Sequence, residues 1–236
     1  MMKIPTILFL CCAVFAQPAF AASGDAVPAA ASSAAGAEGF VAAGWSLEHR
    51  IATDLNADGL NDLVMIVRQD HEDTDTDEKP FDAMRRQMLI AFRDKQSDQY
   101  RLVHQDNALI PARETVNVED YLPSYKPLET KPAGFSINLE LFMSAGGWET
   151  ELRTFQFEYR NGHVALVAFD SQRTNRSSGK TNGVRIDYLA GLAVKSSGNI
   201  QDDPVKEVSE RLAVSRLYNL QDIGPAFEFN PFPETD

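Results

Sequence analysis

The chain has 236 residues, 44% hydrophobic and 24% charged, with a formal net charge of −12 at pH 7. That length suffices for one domain with a substantial buried core. The acid excess argues against nucleic acid or an anionic membrane surface as a partner, and it suits solubility and cation binding.

Residues 1–21 read as a secretory signal peptide. Lys3 precedes the apolar run Ile7 to Ala16, and Ala19-Phe20-Ala21 supplies a small-x-small cleavage site. The apolar run is too short to span a bilayer. Bulky Leu8, Phe9 and Leu10 before Cys11 and Cys12 speak against a lipoprotein signal; an uncleaved anchor is the alternative. Cleavage would remove both cysteines, so no disulfide, cysteine nucleophile or thiolate metal site is available afterwards. The expected location is periplasmic or secreted, and the cleaved chain is not expected to be integral to a membrane. Residues 22–38 are rich in Ala, Ser and Gly and read as a flexible leader. Residues 39–236 then form a single domain.

Trp45, Leu47 and Ile51 recur at even spacing, and Leu63 to Val67 is a compact apolar run; both predict strands. Between them lies Asp54-Leu-Asn56-Ala-Asp58-Gly59-Leu60-Asn-Asp62, the most chemically explicit segment of the chain. Asp54, Asn56, Asp58 and Asp62 occupy positions one, three, five and nine, and Leu60 offers a backbone carbonyl at position seven. Gly59 supplies the backbone freedom for a sharp turn. This is how a short loop wraps Ca²⁺, which takes roughly 6–8 oxygen ligands at about 2.3–2.6 Å. An EF-hand needs a bidentate Glu at position twelve, and that position is Met65. The bland alternative is a polar Asp-Gly turn without metal, because turns favour Asp, Asn and Gly on conformational grounds alone.

The segment Ala52 to Val67 resembles the calcium loop of FG-GAP or VCBS-type repeats, found in integrin α-subunit propellers and many secreted bacterial proteins. That resemblance implies Asp54, Asn56, Asp58, Leu60 and Asp62 as calcium ligands. Propellers repeat the motif, whereas this chain carries one good copy. A looser resemblance, to exported bacterial proteins with a single such loop, rests on Met143 to Trp148, Phe155 to Gly162 and Ser177 to Lys180. It implies no activity.

Farther along, Asp70 to Glu78 is a dense acidic run, read as a solvated loop, a second cation site or a clasp for a basic partner. Met88, Ile90 and Phe92 alternate, and Tyr100 to Val103 follows a polar turn, predicting a hairpin. Phe135 to Leu141 alternates cleanly, as do Phe155, Phe157 and Tyr159 before Asn161-Gly162, a type I′ hairpin signal. His163 to Phe169 is apolar on both faces and predicts a central strand. Val184, Ile186 and Tyr188 predict another. Pro204 to Leu212 is ambiguous: Asp203 can cap a short helix with Pro204 in its first turn, followed by a strand, while Val208, Leu212 and Val214 also suit a strand throughout. The Phe/Pro-rich tail from Pro225 packs back irregularly. The fold class is mainly β with little helix: an antiparallel meander forming one curled sheet, a sandwich or a barrel, with a calcium-binding loop between strands.

No nucleophile elbow, P-loop or dinucleotide motif is present, and His49, His71, His104 and His163 stand singly. Gly146-Gly147-Trp148 reads either as a rim for stacking on a sugar or as a turn carrying Trp148 to the core edge. Three functions follow: a non-catalytic binding or scaffold protein with a structural Ca²⁺, an interaction module for an unknown protein or glycan, or a hydrolase with unassigned carboxylates.

Overall fold

Alternating apolar side chains turn this chain into a run of antiparallel strands, and their pairing divides them into two sheets. The structure is a computed structural model describing residues 27–71, 82–201, 205–214 and 216–232. The first sheet holds β1 (Ser33–Ala34), β2 (Trp45–Thr53), β3 (Asp62–Gln69), β4 (Arg86–Arg93) and β5 (Tyr100–Asp106), in the order β1-β5-β4-β3-β2. The second is a seven-stranded meander in strict sequence order. It contains β6 (Leu128–Lys131), β7 (Gly134–Phe142), β8 (Glu149–Arg160), β9 (His163–Asn175), β10 (Lys180–Asp187), β11 (Leu192–Asn199) and β12 (Lys206–Arg211). The structure is 51% strand and 4% helical, as the mainly β expectation requires.

Periodicity left sandwich, barrel and single sheet open; the core decides for a sandwich. Val64, Ile66, Met88 and Ile90 of the first sheet share one buried cluster with Ile137, Phe155, Phe157 and Phe169 of the second. Phe92 meets Tyr159 edge-on across the gap, with ring centroids 4.8 Å apart. Burying each such side chain stabilises by about 1.5–3 kcal/mol. Among the described residues no helix is long and apolar enough to cross a membrane.

Both hairpin expectations hold. β4 pairs with β5, and Arg160 pairs with His163 around Asn161 and Gly162, whose φ values of 51° and 85° fit a type I′ turn. β9 lies at the centre of its sheet, as its two apolar faces predict. The alternation read in β4 is incomplete, because Leu89 and Ala91 on its other face are also fully buried.

What buries them is the end of the tract read as a flexible leader together with Phe40, just beyond it. Ala37 and Phe40 are 1% exposed and pack with Leu63, Met65, Val67, Leu89 and Ala91 on the outer face of the first sheet. Gln87 and Gln105 each donate an Nε2 hydrogen bond to Pro28 O at 2.9 Å, and Ala30 N donates to Gln105 Oε1 at 3.0 Å. The tract lacks large apolar residues, but its alanines, with Phe40 two residues past its end, cover a sheet whose outer face is already apolar.

The helix expected within 204–212 gives way to strand: Lys206–Arg211 is β12, paired with Leu192–Ser197. The free edge of β11 offers a ladder of hydrogen bonds that outweighs a local capping signal. Asp203 and Pro204, like the signal peptide and residues 72–81, lie outside the described residues. The tail does pack back, with Phe229 inside the core and Arg153 Nη1 donating to Ala226 O (2.6 Å) and Phe229 O (3.0 Å).

Candidate metal site

The β2–β3 hairpin brings the predicted ligands into one loop. Register runs from Trp45 opposite Gln69 to Thr53 opposite Asp62, so residues 54–61 form the connection. Ala57 (φ 60°) and Gly59 (φ 87°) both take left-handed backbone, which curls the loop back on itself. Only Gly59 does so without steric cost to a side chain.

Each polar side chain accepts backbone N–H groups. Asp54 Oδ2 accepts from Gly59 N at 2.9 Å, and its Oδ1 from Asp58 N at 3.2 Å. Asn56 Oδ1 accepts from Asp58 N at 3.0 Å, and Asp58 Oδ1 from Leu60 N at 2.9 Å. These Asx-type contacts hold the turn. Asp54 and Asn56 are partly exposed and Asp58 is exposed, all within the loop.

Asp62 is different. It is fully buried at the start of β3, where Oδ2 accepts from Leu55 N (2.9 Å) and Oδ1 from Arg93 N (3.0 Å). Loss of solvent raises its carboxyl above the ordinary aspartate value. The N–H bonds from Arg93 and Leu55 oppose that rise, and the charge of Asp58 adds to it.

The donor chemistry suits a hard cation: three carboxylates, an amide oxygen and the Leu60 carbonyl, with no nitrogen or sulfur ligand. A carboxylate oxygen that accepts one N–H keeps capacity for a second partner. The arrangement is less complete. Among the described residues no group of three or more His, Cys, Asp or Glu side chains is placed to hold a metal ion. Asp54 and Asp58 stay in the loop, while Asp62 turns inward to tie the loop to β4. Sequence reasoning missed that tie, because Arg93 contributes through a backbone N–H that no side-chain pattern announces.

Two other surfaces bear on function. Trp148 is 64% exposed and so does not reach the core edge, contrary to the simpler reading of its Gly-Gly turn. Arg176 holds that turn: its Nη2 donates to Met143 O (2.6 Å) and Gly147 O (2.7 Å), and its guanidinium lies 4.3 Å from the Phe142 ring centroid. On the outer face of the second sheet, Asp170 and Asp187 line an open hollow of about 240 Å³ floored by Ala168, Leu192 and Val194. Burial raises the Asp170 carboxyl, with the charge of Arg185 opposing. Asp187 Oδ1 accepts from Ala190 N at 2.8 Å and closes a turn.

No family model, curated protein or solved structure matches this chain.

Proposed function

We propose that this chain is an exported, non-catalytic Ca²⁺-binding protein of the FG-GAP/VCBS-like kind, in which the ion is structural and the β sandwich serves as a binding or scaffold module. The observation that carries this reading is the curled β2–β3 loop itself. It carries Asp54, Asn56, Asp58 and Leu60 on one turn built around Ala57 and Gly59, next in the chain to the buried Asp62. A cation would compensate the mutual repulsion of these carboxylates and the poor solvation of Asp62, and it would lock the connection between two core strands. The charge balance and the signal-like N-terminus agree with export.

Calorimetric titration of the purified protein with CaCl₂, followed by thermal scans in calcium and in EDTA, tests it. Saturable binding with a calcium-dependent rise in Tm is expected. Identical Tm values in the two conditions would sink the structural-ion reading, because a ligand stabilises the state it binds.

A second reading is favoured by Trp148: an interaction module that stacks this exposed indole on a glycan or on an apolar residue of a partner protein. Arg176 pre-sets the turn, so little ordering cost remains on contact. Catalysis gains less, since Asp187, the carboxylate that shares a hollow with Asp170, is committed to its turn.

A further inference from the structure

Where the β8–β9 turn approaches β5, a polar hollow of about 300 Å³ opens between the two sheets. Its chemistry sets it apart from the rest of the molecule. The chain carries a net charge of −12, yet the lining includes Arg101, His104 and His163 together with Tyr159, Asn219 and Gln221, and among the described residues no carboxylate.

A break in strand register assembles this group. In a regular strand, Arg101 and His104 would point to opposite faces, since side chains alternate with a period of two. Here Arg101 pairs with Phe92 and His104 with Ile90, and the register shifts between Ile90 and Ala91 so that Val103 is the extra residue. Phe92 and Ile90 share the inter-sheet face, so Arg101 and His104 share it too. Bulges of this type re-aim side chains and recur beside binding sites.

His104 brings the independent observation. Its Nε2 is buried and has no hydrogen-bond partner, although buried polar groups are nearly always satisfied. The Arg101 side chain, at the exposed rim, makes no hydrogen bond to another described residue, and the Asp94 carboxylate acts on it only through its charge. Asp106 acts on the imidazole through its charge, but its Oδ1 accepts from Ala108 N and Leu109 N and caps the next turn.

We infer that this hollow is a binding site for a small oxyanion, a phosphate- or carboxylate-bearing molecule, with Arg101 supplying the charge at the rim and His104 Nε2–H the buried donor. The volume matches the lower end of small-molecule sites, about 300 Å³. An oxyanion satisfies a cationic donor and a buried imidazole N–H together, and among the described residues neither the Arg101 side chain nor His104 Nε2 has a hydrogen-bond partner. The site lies at β5 and the β8–β9 turn and does not depend on the calcium loop.

The test is a titration of the purified protein in chloride buffer with inorganic phosphate and, separately, with acetate. Histidine imidazole resonances are followed by NMR. Saturable movement of the His104 signal is expected, with a dissociation constant of about 1 mM for so small a ligand. Preference for phosphate over acetate identifies the phosphate-bearing class, and the reverse identifies the carboxylate class. Arg101→Gln, at the exposed rim, should fold normally and weaken binding at least about tenfold, as loss of a charged hydrogen bond does. Asp54→Ala should leave it unchanged. The proposal is overturned if the His104 signal moves linearly without saturation, if sodium chloride reproduces the shift, or if Arg101→Gln binds as tightly as wild type. Any of these would mean that the hollow holds no oxyanion.

Discussion

Asp62 and Leu55 are joined by a 2.9 Å hydrogen bond from the Leu55 N–H to the Asp62 carboxylate, whose other oxygen accepts the Arg93 N–H at 3.0 Å. One buried side chain therefore ties the entry of the candidate calcium loop, the first residue of β3 and the end of β4. Of the five proposed ligands, Asp62 alone is fully buried and ties the loop to a residue outside it. This separates it experimentally from Asp54.

Asp54→Ala should cost little in EDTA, because its N–H partners lie in an exposed loop where water replaces it. In calcium at about a hundred times Kd, wild type gains about 2.7 kcal/mol that the mutant forfeits. That corresponds to about 5–10 °C for a domain of this size. Asp62→Ala should lose stability in both conditions, by about 1–3 kcal/mol for each buried N–H left unpaired. Thermal scans of the two variants, with and without chelator, check the pattern. Equal behaviour of the two would refute the division of roles.

Arg86 predicts a second effect, far from the loop. Its side chain is 1% exposed and bridges two carboxylates: Nε and Nη2 donate to Glu48 at 2.6 and 2.8 Å, and Nη1 and Nη2 to Asp120 at 2.8 Å. Burial alone would lower its pKa, but the bonds from Glu48 and Asp120 outweigh it and raise the value. Glu48 reaches this position because β2 is irregular between Leu47 and His49. Arg86→Ala should destabilise by about 3–5 kcal/mol, as removal of one member of a buried ion pair does. Arg86→Lys should recover only part, since an ammonium cannot engage two carboxylates bidentately. Urea midpoints measure both.

The N-terminal tract predicts a third. Phe40→Ala should cost about 3–5 kcal/mol, the range for emptying a buried aromatic site. Deleting residues 22–41 should expose the apolar outer face formed by Leu63, Met65, Val67, Leu89 and Ala91, and light scattering should then report association. A monomeric deletion variant of unchanged stability would show that the tract does not serve as a cover.

His104 predicts a pH effect. Burial lowers its pKa below the ordinary histidine value, with the Asp106 charge opposing. The unfolded chain takes up the proton first, near pH 6.5. Stability is therefore held above that pH and is lost as pH falls towards the lowered folded value. In phosphate-free buffer, His104→Phe should lose less stability than wild type between pH 7.5 and 5.5, measured as the change in urea midpoint. The same acid-side loss in both proteins would remove His104 as its source.

The amino-acid sequence by itself determined what depends on neighbours along the chain. Alternation located β2, β7 and β8, a compact apolar run located β3, Asn161-Gly162 set its turn, and Asp54 to Asp62 spelled out an oxygen-donor loop, because backbone preference and donor spacing are local. Only the tertiary structure decided what depends on distant partners. It divided the strands into two sheets, laid Ala37 and Phe40 over the outer face of the first, and made β12 a strand through pairing with β11. Trp148 stayed in solvent because Arg176, remote in sequence, holds its turn. Arg101 and His104 came to share a face because β5 bulges at Val103 where it meets β4. A period-two reading of β5 assigns those two residues to opposite sides, and only the register between strands can reverse that.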